Sequence, residues 1–155
     1  MVLTNKLDKS RFQLAPDIRS QSWLNGAPTS LAELRGRVVL VDFWTFYCIN
    51  CQNVMPSLKE LHRRYRDKGL TIIGVHSPEF DSEHETANVQ EAIQRFSLPY
   101  LVAQDNDFAN WNAYHNHYWP SLYLIDKEGY LRFNHIGEGD YDKIDAAVRQ
   151  LLSET

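Results

Sequence analysis

A chain of 155 residues suits one domain, long enough to bury about two thirds of the surface it exposes when unfolded, so a core needs no metal or disulfide staples. With 16 basic and 20 acidic residues, a net charge of −4 and no block of like charge, nothing recommends a nucleic acid or an anionic membrane as partner. No apolar stretch approaches the roughly 20 residues of a membrane span, and the opening MVLTNKLDKSRF lacks a signal-peptide core. As written, the chain reads as soluble and cytoplasmic, or as extracytoplasmic if it is a piece of a longer or processed protein.

Residues 1–10 read as a loose N-terminal tail of a single domain spanning 1–155. Asn25 and Gly26 form a turn pair that tolerates positive φ, predicting a hairpin or tight turn with a short partner strand before the central strand. VVLVDFW (38–44) is a short β-type run broken by one acid, the pattern of a strand buried on both faces. Val54, Leu58, Leu61 and Tyr65 then recur at helical spacing up to Lys68 and Gly69, a helix-ending pair.

TIIGV (71–75) predicts a second buried strand, and Ser82 with Glu85 reads as a capping box for a helix running to about Phe96. Tyr100–Ala103 resumes a strand, and a short helix is expected over 107–114. SLYLID and YLRFNHI flank KEG as an antiparallel hairpin, and residues 141–153 close the chain as a helix. This order predicts an α/β domain with a mixed central sheet flanked by helices, an N-terminal hairpin extension and a strand-helix insertion.

The chain has two cysteines, Cys48 and Cys51. On a helix, three residues turn the chain by about 300° and raise it by about 4.5 Å, which leaves the two thiols on one face and close enough to bridge. Coming directly off a strand, Cys48 falls at the helix N-terminus, where free N–H groups and the helix dipole favour a thiolate. Cys48 is therefore the expected nucleophile and Cys51 the resolving thiol. A zinc site would need two more ligands from scattered histidines, since no second CxxC exists, and two inert buried cysteines are the plainer alternative.

VVLVDFWTFYCINCQNVMP resembles a thioredoxin-fold active site: Asp42 stands six residues before Cys48, Trp44 four before it, and Pro56 five after Cys51. The segments LNGAPTSLAELRGRVVLVDFW, GVHSPEF and WPSLYLIDKEGYL resemble the TlpA and ResA group of thioredoxin-like proteins. FWTFYCINC, NVQEAI, YWPSLYLID and GEGDYD resemble the thioredoxin-like domain of DipZ-type and NHL-repeat proteins. The resemblance covers nearly the entire chain.

It implies a thiol-disulfide oxidoreductase, a disulfide reductase by preference, that needs no metal or organic cofactor beyond the Cys48–Cys51 pair. It also implies that Asp42, a costly residue in a buried strand, moves protons to and from Cys51, and that Pro120, after Trp119, is a cis-proline facing the cysteines. Glu79 matches an acid near the active site of the ResA group. Trp44, Tyr47, Ile49, Asn50, Trp119 and Pro120 are the expected substrate contacts.

The implied partners are a protein disulfide and a thiol electron donor, such as a membrane electron-transfer protein, met by a monomer. Two other functions remain in view. Thr45, three residues before Cys48, reproduces part of the peroxiredoxin pattern P-x-x-x-T-x-x-C, although Val41 stands where the proline belongs. A Sco-like copper carrier would pair the cysteines with a distant histidine such as His135, but spaces its cysteines by three residues rather than two. His115 and His117 are a further, weaker metal candidate.

Overall fold

The computed structural model describes residues 7–155. Its strands are β1 (Trp23–Leu24), β2 (Val38–Trp44), β3 (Leu70–His76), β4 (Leu101–Gln104), β5 (Ser121–Ile125) and β6 (Leu131–Ile136). The helices are α1 (Ile49–Tyr65), α2 (Thr86–Arg95), α3 (Ala109–Ala113) and α4 (Tyr141–Ser153). One six-stranded sheet runs in the order β1-β4-β3-β2-β5-β6. β2, β3 and β4 are parallel, whereas β5 runs antiparallel to β2, β6 to β5 and β1 to β4. This is a thioredoxin-like fold, with β4 and α3 as the strand and helix set between β3 and β5.

β2 is paired along both edges and all seven of its residues are buried, as its run of β-type residues requires. The pleat divides those residues between two cores. Val38, Leu40 and Trp44 pack in a cluster with Leu58 and Leu61 of α1, Val89 of α2 and Val148 of α4. Val39, Val41 and Phe43 join a second cluster with Ile18, Leu31 and Tyr114. By alternation Asp42 faces the first of these, the one that also holds Cys51.

Two expectations need correction. No N-terminal hairpin forms among the described residues: Trp23 and Leu24 pair with Ala103 and Val102 of β4, at the far edge of the sheet from β2. Asn25 takes the expected positive φ of 66°, but its side-chain amide donates to the carbonyls of Leu98 and Tyr100, at 2.7 and 2.8 Å. The turn thus fastens the segment onto β4. Likewise, α2 begins at Thr86 and not after Ser82, because residues 81–84 form a separate 3₁₀ turn and Glu85 is extended. The carboxylate that organises this stretch is Glu83, which accepts from the N–H of Phe80 at 2.8 Å.

Of the expected loose tail, residues 1–6 lie outside the described residues, while Lys9 is ion-paired with Asp126 at 3.0 Å and Glu128 at 3.2 Å. No helix among the described residues is long and apolar enough to cross a membrane.

β3 passes so close to β2's last residue that an added methyl at Gly74 would stand 2.8 Å from Trp44 Nε1. Trp44 is fully buried and held edge-on to His76, with ring centroids 4.7 Å apart, so it has nowhere to retreat. Gly74→Ala is expected to destabilise the fold by about 1–3 kcal/mol through overpacking, read as a lowered urea midpoint with an unchanged denaturant slope.

Candidate active site

β2 leaves the sheet at Trp44, and the connection Thr45–Tyr47 carries the chain to Cys48, which is the N-cap of α1. Cys48 has φ −77° and ψ 110°, the extended backbone that an N-cap adopts. Its N–H donates to the Thr45 carbonyl at 3.2 Å, its own carbonyl accepts from Gln52 N–H at 3.1 Å, and Cys51 N–H donates to Cys48 Sγ at 3.1 Å. Cys48 and Cys51 form a disulfide with their Cα atoms 5.2 Å apart. Cys48 is half-buried whereas Cys51 is only 2% exposed, so an incoming reagent reaches Cys48 first.

Asp42 is 3% exposed and its Oδ1 has no hydrogen-bond partner among the described residues. Burial lifts its carboxyl from the usual carboxylate range to about 7. Tyr100 is pushed well above its ordinary value by burial first and by the Asp42 charge second. An acid that titrates near neutrality, on the face of β2 turned toward the core cluster that contains Cys51, can take or give a proton at working pH.

The Trp119–Pro120 peptide bond is cis, as the resemblance implied, and Pro120 is buried. Trp119 and Cys48 both border the core cluster that holds Cys51. Trp119 donates its indole N–H to the Ser77 carbonyl at 2.9 Å and packs against Trp111, with ring centroids 4.3 Å apart. Ser77 is fixed in turn by donating its hydroxyl to Asp105 at 2.7 Å.

Of the other expected contacts, Tyr47, Ile49 and Asn50 are exposed around the disulfide, Tyr47 by 57% and Ile49 by 64%. Trp44 is not on this surface: it is a core residue, turned inward by the pleat of β2. The sequence reading missed Phe80, half-exposed beside Tyr47 with ring centroids 6.2 Å apart. Position 80 lies in a loop without periodicity, and only the fold brings it to Tyr47.

Glu79 is exposed, and its backbone N–H donates to Glu83 Oε1 at 3.1 Å. Glu83 is the acid turned inward, with no exposed surface. Its Oε1 accepts also from Phe80 N–H, while its Oε2 accepts from Tyr47 N–H at 3.0 Å and from the Thr45 hydroxyl. Beside it, buried His76 accepts at Nε2 from Phe46 N–H at 3.3 Å, with the Thr45 hydroxyl 3.4 Å away. Burial pulls the His76 imidazole down to about 4, outweighing the nearby Glu83 charge that pushes it up, so the ring is neutral at pH 7.

The AhpC/TSA family model matches residues 12–134. The chain belongs to the AhpC/TSA family. Within it, protein DipZ of Mycobacterium tuberculosis is 44% identical over 144 residues, which cover 90% of this chain and 21% of DipZ. The chain thus spans about a fifth of that relative's length. Thiol-disulfide oxidoreductase YkuV of Bacillus subtilis is 28% identical over 92% of this chain and 97% of its own. A thioredoxin-like protein solved in solution in the oxidised form superposes with a TM-score of 0.83 at 28% identity, covering 94% of this AhpC/TSA chain and 99% of its own.

The raised Asp42 carboxyl sets a pH dependence of stability. Between pH 4 and 7 the folded state holds a proton that the unfolded state has lost, so stability falls as pH rises through that window and is level above it. A rise from 3.8 to about 7 corresponds to about 4 kcal/mol. Asp42→Asn is expected to stabilise the oxidised protein by up to that amount at pH 8, to leave it unchanged at pH 4, and to flatten the slope between, as measured by urea unfolding.

Proposed function

We propose that the chain is a thiol-disulfide oxidoreductase working as a disulfide reductase. The observation that carries this is the bridge itself: a half-buried Cys48 at the N-cap of α1, joined to a buried Cys51 whose N–H already donates to the Cys48 sulfur. In the reduced state the Cys48 thiolate attacks one sulfur of a substrate disulfide, forming a mixed disulfide and expelling the other substrate sulfur as a thiolate. Cys51 then gives up its proton to Asp42 and attacks the Cys48 sulfur, and the second substrate thiolate leaves. Two electrons have passed to the substrate, and the chain holds the Cys48–Cys51 disulfide.

An external dithiol donor, such as a membrane electron-transfer protein, restores the thiols by the same steps in reverse. The apolar rim of Tyr47, Ile49 and Phe80 suits a protein substrate presenting apolar residues beside its disulfide. Ile49 and Asn50, between the cysteines, put no cation beside the thiolate, which favours the reducing direction.

Peroxide reduction is the weaker reading. Thr45 is completely buried and its hydroxyl donates its one proton to the Glu83 carboxylate, leaving none to donate to a peroxide at Cys48. For copper carriage, His135 lies on β6, two strands from β2 and so about 10 Å from it, and is hydrogen-bonded to Asp140 at 3.1 Å.

The deciding experiment is a redox titration of the Cys48–Cys51 pair against glutathione or dithiothreitol. A reductase is expected to equilibrate near the thioredoxin value of about −270 mV, whereas a value near −120 mV would mark an oxidase. Cys51→Ser is expected to trap a mixed disulfide with a protein substrate, and Cys48→Ser to form none, on non-reducing gels. Hydrogen peroxide is expected to be consumed by the reduced protein no faster than by a free thiol, and a rapid single-turnover burst would overturn the reductase reading in favour of a peroxidase.

A further inference from the structure

Glu83 is a fully buried acid that the proposed redox cycle does not use. Four donors converge on its two oxygens: the N–H groups of Glu79, Phe80 and Tyr47 and the Thr45 hydroxyl. Backbone N–H groups only donate, so three of the four contacts require an acceptor, and both oxygens are engaged in the manner of a carboxylate. Two of the donors lie in the connection between β2 and Cys48, and the other two in the loop after β3. The Tyr47 N–H is the amide one residue before the Cys48 N–H. It donates to Glu83, while the Cys48 sulfur accepts from the Cys51 N–H.

We propose that Glu83 is a positioning residue for Cys48: it fixes the Thr45–Tyr47 connection that presents the nucleophile, and its buried negative charge opposes the charge of the Cys48 thiolate. The inference rests on the disulfide-reductase reading and deepens it, because opposing the thiolate disfavours the dithiol form relative to the neutral disulfide and so makes the pair a stronger reductant. Like charges sharing a poorly solvated region raise the cost of the second charge.

The other ionisable groups packed around this centre do not supply the same effect. His76, from β3, is held neutral by burial, and Asp42, from β2, faces the core cluster that holds Cys51. Glu79, Asp81, His84 and Glu85 are exposed to solvent, where their fields are screened. Glu83 is the buried charge tied directly to the residue preceding Cys48.

The test is the pH titration of Cys48 thiolate formation, followed by thiolate absorbance and by the rate of alkylation, together with the equilibrium against glutathione. Glu83→Gln is expected to move thiolate formation down by about one pH unit, to speed alkylation of Cys48 at pH 6, and to shift the glutathione equilibrium severalfold toward the dithiol. Glu83→Asp, which retains the charge, is expected to return the titration most of the way to that of the unaltered protein.

Thr45→Val removes one donor and leaves the carboxylate less neutralised, so it is expected to move thiolate formation upward, opposite to Glu83→Gln. A merely structural role would move both in the same direction or neither. If Glu83→Gln shows no cooperative melting, the upward movement in Thr45→Val is decisive by itself, and its absence overturns the proposal. An unaltered protein without a reversible disulfide would instead refute the oxidoreductase reading. Normal cycling with an unmoved titration in Glu83→Gln and Thr45→Val refutes only the role of Glu83.

Discussion

The site hangs from the end of β2. That strand is hydrogen-bonded along both edges and buried on both faces, so it cannot slip by one residue without turning each side chain into the wrong core. Its last residue therefore has one position, and Cys48 follows only four residues later. The intervening Thr45–Tyr47 connection belongs to neither the sheet nor the helix and must find partners elsewhere. Glu83 takes Tyr47 N–H, His76 takes Phe46 N–H, and the Gln52 side chain donates to the Phe46 carbonyl at 2.8 Å. The sheet supplies the position of Cys48, and these side chains keep the short connection from blurring it.

Two buried carboxylates are handled in opposite ways. Asp42 has an oxygen without a partner among the described residues and faces an apolar cluster, so burial favours its protonated form. Glu83 is surrounded by donors, and the cheapest state available to it is to accept from all of them. One acid thus faces the core cluster that holds Cys51, and the other is tied to the residue before Cys48.

The features legible in the sequence were those specified by local pattern. The β-type run of β2, the turn that joins β5 to β6, the closing helix at Tyr141–Ser153 and the cysteine pair at a strand-to-helix junction all stand as read. The cis peptide before Pro120 followed from resemblance rather than from pattern. What escaped depended on partners distant in sequence. Trp23 and Leu24 look like half of a hairpin until β4 offers an edge, and Glu83 is held inward by four N–H and O–H groups, two of which come from residues 45–47. Trp44 was read as a contact surface because it adjoins the motif, yet the alternation that buries Val38 and Leu40 also buries it.

Lys9 reaches Glu154 at 3.7 Å, and Arg132 grips the same Glu154 carboxylate at 2.6 and 3.0 Å while Lys127 holds the Glu154 carbonyl at 2.9 Å. Residues 9 and 154 are therefore clasped side by side. With residues 9 and 154 side by side, the body between them could be spliced into a loop of a longer polypeptide with short connectors and no rearrangement of its sheet.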